Sequence, residues 1–176
     1  EALYAQAQAG AASQQAALAV KQAATARTDA ADAQQQTAVL RQRLDELQAR
    51  QTERGTLVTL GDVLFEFDRA EVKPSAQASL HKLAAYLQQY PARQVLIEGY
   101  TDNAGAPDYN TALSLRRADA VNNALAGMGV ATQRMSTVGY GEEFPVAANS
   151  TDTNRALNRR VEVTLGDNDQ PVRSRR

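Results

Sequence analysis

The first third of the chain repeats its small apolar positions at alternating intervals of three and four. Positions 2, 5, 9, 12, 16, 19, 23, 26, 30 and 33 are all alanine, and the register runs on through Thr37, Leu40, Leu44 and Leu47. Alanine fills 15 of the first 33 positions. Even so, an unbroken seam of this kind arises by chance only a few times in about a thousand. Up to residue 54 there is no proline and one glycine, Gly10, and most other residues are strong helix formers. The pattern predicts a helix of about 50 residues, roughly 75 Å long, with a heptad seam that changes from Ala to Leu near its end. Alanine buries little area, so such a seam lets helices approach closely but associates weakly, and Leu40 to Leu47 should be its most firmly packed part. The pattern starts at Glu1 in mid-helix, which leads us to expect a natural N-terminus, with any targeting or anchoring segment, further upstream.

After Arg54-Gly55 the period shortens towards two. Thr56 to Leu60 reads as a strand, Gly61-Asp62 as a turn, and Val63 to Phe67 as a second strand with Val63, Phe65 and Phe67 on one face. Pro74-Ser75 opens a helix with Leu80, Leu83, Ala84, Leu87 and Tyr90 at helical spacing, and Pro91 stops it. Val95 to Gly99 is a strand whose continuous apolar run, Val95 to Ile97, indicates burial on both sides. A helix is predicted from about Asn110 to Gly127, with Asp108 or Asn110 as its cap and Gly127 and Gly129 at its end. Met135 to Gly139 is a strand, Thr153 to Asn158 a short helical piece and Arg160 to Leu165 the last strand. The order β-β-α-β-α-β-α-β predicts an α+β fold, a mixed sheet with helices packed on one face, behind a long N-terminal helix. The expected domains are a stalk at 1–54, a globular domain at 55–166 and a flexible basic tail at 167–176.

Composition narrows the chemistry. The 176 residues carry 19 Lys and Arg against 20 Asp and Glu, so no net field favours nucleic acid or an anionic membrane. The terminal Arg173 to Arg176 is basic but reads as a solvated end. The chain has no cysteine, which excludes disulfides, thiolate metal sites and cysteine nucleophiles. Its one histidine, His81, falls mid-helix beside Lys82 and reads as a solvated residue rather than an acid–base catalyst. The carboxylates Glu142-Glu143 and Asp167 to Asp169 lack His or Cys partners, and no phosphate-cradling glycine loop is present. No apolar run approaches the roughly 20 residues of a membrane span. A non-enzyme without metal or cofactor is the expected class.

One segment stands out, YTDNAGAPDYNTALSLRR over residues 100–117. Asp102 follows a strand directly, and Gly105 and Pro107 keep the next loop tight. On the following helix, positions 110, 113, 117, 121 and 124 share one side, so Arg117 interrupts a stripe of Leu113, Val121 and Ala124 while Arg116 faces solvent. Two explanations fit the spacing equally. Arg117 can form a structural salt bridge with Asp102. Alternatively the two can be halves of a site for a zwitterion, Asp102 taking an ammonium and Arg117 gripping a carboxylate with paired N–H bonds.

The string GYTDNAGAPDYNTALSLRRADAV resembles the signature of OmpA-like C-terminal domains, which bind peptidoglycan. Gly99, Thr101, Asp102, Gly105, Asn110, Leu113, Ser114, Arg117, Ala118 and Val121 stand in register with it. VGYGEEFPVAANSTDTNRALNRRVEV resembles the closing motif, and LGDVLFEFDRAEVKPSA the opening strand and turn, so the resemblance covers Leu57 to Leu165. It implies a non-enzymatic module that holds meso-diaminopimelate of the peptidoglycan stem peptide, with Asp102 and Arg117 on its amino-acid head. Flanking contacts are implied for Thr101, Asn110, Asn158, Arg159 and Asp68. The implied setting is the periplasm, with the protein linked to the outer membrane through an anchor absent from this chain. Tyr100 stands where the family usually has histidine, and is expected at the mouth of the loop. Asn154 stands at a usual glycine, where asparagine can take up a left-handed backbone. The alanine-rich segment loosely resembles the stalk of some outer-membrane lipoproteins. The expected partners are therefore peptidoglycan and a second copy through the N-terminal helix, with no nucleic acid. The competing expectation is a self-associating envelope assembly protein, stator-like, for which wall contact is secondary.

Overall fold

The structure is a computed structural model. It describes residues 2–66 and 68–176, with side chains except those of residues 2–9, 11, 12, 43 and 63. The chain divides into two units, 1–42 and 43–176. The first is helix throughout its described length. The element it belongs to, α1 (Ala2–Glu46), ends at Glu46 instead of near residue 54. It exits through Gln48 at φ 50°, and the Ala49 amide donates back to the Leu44 carbonyl at 2.9 Å. This left-handed exit satisfies a carbonyl that the helix end would otherwise leave open. Every side chain from Ser13 to Val39 is exposed, including Leu18, Val20 and Val39. The first four seam positions, Ala2, Ala5, Ala9 and Ala12, lie outside the described side chains.

The second unit is built on a mixed sheet of five strands: β1 (Arg50–Thr52), β2 (Gly55–Leu60), β3 (Val95–Tyr100), β4 (Met135–Gly139) and β5 (Arg160–Leu165). Their order is β1-β2-β5-β3-β4, and only β3 and β4 run parallel. Three helices follow the predicted order: α2 (Gln77–Gln88), α3 (Pro107–Gly127) and α4 (Asp152–Asn158). α3 lies against β3, β4 and β5, and α2 against α3. The core gathers Leu80, Leu83 and Leu87 of α2, Leu113, Val121 and Leu125 of α3, and Val95, Ile97, Val161 and Val163 of the central strands. At roughly 1.5–3 kcal/mol for each large apolar side chain, this burial is the main stabilising term.

Several local expectations fail for identifiable reasons. Val63 to Phe67 does not form a second strand. Asp62–Leu64 is a 3-10 turn, and Phe65 makes a single bridge to Val72, while Phe67 lies outside the described residues. Alternating apolar residues are also what a loop shows when it drops Leu64 and Phe65 into the core, both being buried. The sheet instead gains β1 from Arg50–Thr52, three polar residues in the stretch read as helix. α3 starts at Pro107 with Ala106 as its cap residue, so neither Asp108 nor Asn110 caps it. Asn154 does not adopt a left-handed backbone. It lies in the first turn of α4, where its amide donates to the Thr151 hydroxyl at 3.1 Å.

Close packing fixes how α3 sits on the sheet. A Cβ on Gly99 would lie 2.0 Å from the Ser114 carbonyl oxygen, and one on Gly139 would lie 2.5 Å from the Leu115 nitrogen. Only glycine at these two strand ends lets the helix backbone come so near. The Ser114 hydroxyl then accepts from the Gly141 amide at 2.8 Å. The first half of α3 is thereby held beside the C-terminal ends of β3 and β4.

Candidate ligand-binding site

This seating creates a cavity of about 50 Å³ at the end of β3. Asp68, Thr101, Asp102, Asn110, Arg117 and Arg159 line it, together with Ala104, Tyr109 and Leu113. Six of the seven residues implied by the resemblance therefore converge. The seventh, Asn158, does not line the cavity. Its side-chain oxygen accepts from the amides of Val146 and Ala147 at 2.8 and 3.1 Å, and its nitrogen donates to the Ala147 carbonyl and to Asn149 Oδ1, each at 2.8 Å. All its hydrogen-bonding capacity serves the loop at 146–149.

Asp102 emerges from β3 as the chain turns. One carboxylate oxygen accepts from the Ala104 amide at 2.9 Å, and the other from Arg159 at 2.7 Å. Arg159 also reaches Asp62 at 2.8 Å, so one guanidinium bridges two carboxylates. The hydrogen bond to Asp62, above all, holds the charged form of Arg159 more firmly than in water. Asn110 donates to the Asp102 carbonyl at 3.4 Å and to Glu142 at 2.9 Å. Thr101 donates its hydroxyl to the Asp102 carbonyl at 2.8 Å. These bonds fix the loop while leaving the carboxylate further acceptor capacity.

Arg117 is handled differently. It is 2 % exposed, and its Nε donates to the Arg69 carbonyl at 2.9 Å, while its guanidinium lies 5.2 Å from the Phe65 ring. Among the described residues no carboxylate lies within ion-pair distance of it. Burial therefore pulls its pKa below the ordinary arginine value, against weaker support from Asp62 and Asp102. The direct Arg117–Asp102 salt bridge is not formed, because Arg159 occupies Asp102. Arg116 is exposed, as helical phase predicts.

Two contributors escaped the sequence reading. In the sequence Asp62 stands as a turn residue, and nothing in its spacing links it to Arg159. Tyr109 carried a usable signal, since it lies four residues before Leu113 and shares its helix face. Its hydroxyl donates to Asp68 at 2.7 Å across the rim. Asp68 holds a left-handed backbone, φ 58°. Tyr100, expected at the loop mouth, is absent from the cavity. It is the last residue of β3 and fully buried, and strand alternation carries its ring to the other side of the sheet from Gly99 and Thr101.

The fold and site define an α+β domain with a small charged cleft at strand ends. Among the described residues no group of His, Cys, Asp or Glu could hold a metal ion, and no helix is long and apolar enough to cross a membrane. The OmpA family model matches residues 64–159, more than half of the chain, and the chain belongs to that family. Outer membrane porin F of Pseudomonas fluorescens is 48% identical over 104 residues, 59% of this chain and 32% of that protein. The peptidoglycan-associated lipoprotein of Brucella melitensis is 43% identical over 109 residues, 61% of this chain and 65% of that protein. The chain thus spans about a third of the porin's length and just under two thirds of the lipoprotein's. The crystal structure of the peptidoglycan-associated lipoprotein from Burkholderia pseudomallei superposes with a TM-score of 0.56 at 38% identity, covering 61% of this chain and 88% of that one.

Proposed function

We propose that the domain binds peptidoglycan non-covalently and that its cleft takes the zwitterionic end of the diaminopimelate side chain in the stem peptide. The observation that carries this reading is Arg117, a buried cation without a carboxylate partner among the described residues, in the same cleft as Asp102. A ligand carboxylate supplies the missing anion, and Asp102 and Asp68 offer acceptors to the adjacent ammonium. Cavities that enclose whole small molecules hold roughly 300–1,000 Å³. A space of about 50 Å³ suits a terminal head group instead. The names of the lipoprotein relatives support peptidoglycan as the partner. On this reading the chain tethers the cell envelope to the wall from the periplasm, by binding and not by catalysis, and is linked to the outer membrane through a segment outside this chain.

Calorimetric titration with two stem peptides tests it. One carries meso-diaminopimelate, and the other carries lysine at that position, keeping the ammonium and losing the carboxylate. The diaminopimelate peptide should bind and the lysine peptide should not. Equal binding of both, or equal sedimentation of wild type and an Asp102→Ala/Arg117→Ala variant with purified peptidoglycan, would reject the assignment.

A second reading rests on α1, whose side chains from Ser13 to Val39 are all exposed. A helix of this length that is solvated all round lacks the tertiary packing from which most helical stability comes. We propose that its alanine seam pairs with a second copy. Sedimentation equilibrium of the full chain should show a dimer or higher oligomer that Ala23→Glu/Ala30→Glu abolishes. A wild-type monomer at high concentration would dismiss the seam as an association device.

A further inference from the structure

The sheet has a second buried face, and it is polar. On β3 and β5, Leu96, Glu98 and Tyr100 pair across from Thr164, Glu162 and Arg160, and all six are buried. Two carboxylates, Glu98 and Glu162, thus stand directly opposite each other, an arrangement that repels unless cations intervene. Arg54, from the turn between β1 and β2, forks Glu98 with two bonds of 2.9 Å. Glu162 takes Arg160 at 2.7 Å and Arg175, from the C-terminal tail, at 2.8 Å.

The tail keeps Arg173, Arg175 and Arg176 exposed, as expected of a solvated end, but it also makes specific contacts with this face. Its Arg175 backbone amide donates to the Tyr140 hydroxyl at 2.7 Å, and its Arg173 carbonyl accepts from Arg54 at 3.1 Å. The Arg175 guanidinium lies 5.5 Å from the ring of Tyr100 and 5.5 Å from that of Phe144, and Arg176 pairs with Glu143. Tyr100 and Tyr140 are stacked with centroids 5.3 Å apart. Arg160 already lies over the Tyr100 ring at 3.8 Å. An acid, aromatic rings, and a hydroxyl and a guanidinium that meet the segment's backbone amide and carbonyl are groups that recognise an arginine in a peptide. Among the described residues, the fully buried Tyr100 hydroxyl has no hydrogen-bond partner.

We infer that this outer sheet face is a second binding site, for an extended arginine-bearing peptide segment, and that residues 171–176 fill it in cis through Arg175. The site lies across the sheet from the Asp102 cleft and does not depend on that cleft's ligand. Because Arg175 is tethered, it competes with any outside segment at an effective concentration of about millimolar. The same tail from a second copy has the right chemistry to replace it.

The test uses a synthetic peptide of residues 170–176, QPVRSRR, titrated into isotopically labelled full-length Arg175→Ala chain and followed by amide and tyrosine resonances. The peptide should shift signals of Tyr100, Tyr140 and Glu162 in this variant, and more weakly in wild type, where the tethered tail competes. A peptide with alanine in place of the arginine corresponding to Arg175 should shift neither. A second variant ending at Asp169 should behave as Arg175→Ala does. If a folded Arg175→Ala chain leaves those resonances unmoved by the peptide, or if the alanine peptide binds as well as the native one, the site does not exist. Should removal of the tail unfold the sheet, the titration of Arg175→Ala alone decides.

Discussion

Arg117→Met separates a cation kept for a ligand from one kept for the fold. The substitution removes one hydrogen bond from a charged donor to the Arg69 carbonyl, worth about 1.5–3 kcal/mol. It also removes the contact with the Phe65 ring, worth about 0.5–2 kcal/mol. Against these losses stands the cost of holding a guanidinium 2 % exposed with no carboxylate in range. The effective desolvation cost is several kcal/mol per buried ion. Methionine fills similar space, adapts to irregular surroundings and carries no such cost. The two sides nearly cancel, so folding stability should stay within about 1 kcal/mol of wild type or rise. In a domain of this size each kcal/mol moves Tm by about 2–8 °C. Urea denaturation with an unchanged m-value reads the stability. Sedimentation with peptidoglycan reads binding, which should be lost. A destabilisation above about 3 kcal/mol, the size of breaking a buried ion pair, would show that the fold already satisfies this charge and would undo the argument that it waits for a ligand.

Arg159→Met should behave in the opposite way, because Arg159 bridges Asp62 and Asp102. Losing it leaves both acids without their cation at a cost of about 2–4 kcal/mol, discounted for the partial exposure of Asp62, and equal urea midpoints for the two methionine variants would contradict this. Arg117→Lys keeps a charge but not the planar fork, so the domain should stay folded while affinity for a diaminopimelate peptide falls at least tenfold, about 1.4 kcal/mol; unchanged calorimetric affinity would reject paired N–H recognition. Gly99→Ala puts a methyl 2.0 Å from a helix carbonyl and should cost about 3 kcal/mol, measured by thermal unfolding; a neutral effect would mean that α3 moves away freely. Asn158→Ala removes four hydrogen bonds to the loop at 146–149 and should raise amide exchange there without weakening ligand binding; lost affinity in a folded variant would return Asn158 to the site.

Much of this was legible in the sequence because it is local. The absence of proline and the heptad-spaced alanines mark α1 in local sequence, although the helix ends where Leu47 is buried in the second unit. Apolar spacing and flanking glycine or proline located α2, β3, α3, β4, α4 and β5, and the phase of α3 separated Arg117 from Arg116. The failures share a cause. A strand exists only when another backbone is beside it. Residues 63–66 had the pattern but only the single bridge from Phe65 to Val72, whereas Arg50–Thr52 had no pattern and the free edge of β2. The alternation of β3 also orients Tyr100, which is buried on the face opposite Gly99 rather than at the loop mouth.

Local spacing marks most of the helices and strands, the buried stripe of α3 and the residues from which a charged cleft could be made. Packing sets which charges meet: Asp102 with Arg159, Arg159 with Asp62, Arg175 with Glu162, and Arg117 with no carboxylate in reach among the described residues. Helical and strand periods are properties of a backbone that repeats every few residues, so they are written in neighbouring letters. Ion pairing depends on distances between side chains brought together by packing from positions as far apart as 62, 102, 117 and 159, and no local period encodes which cation reaches which acid first.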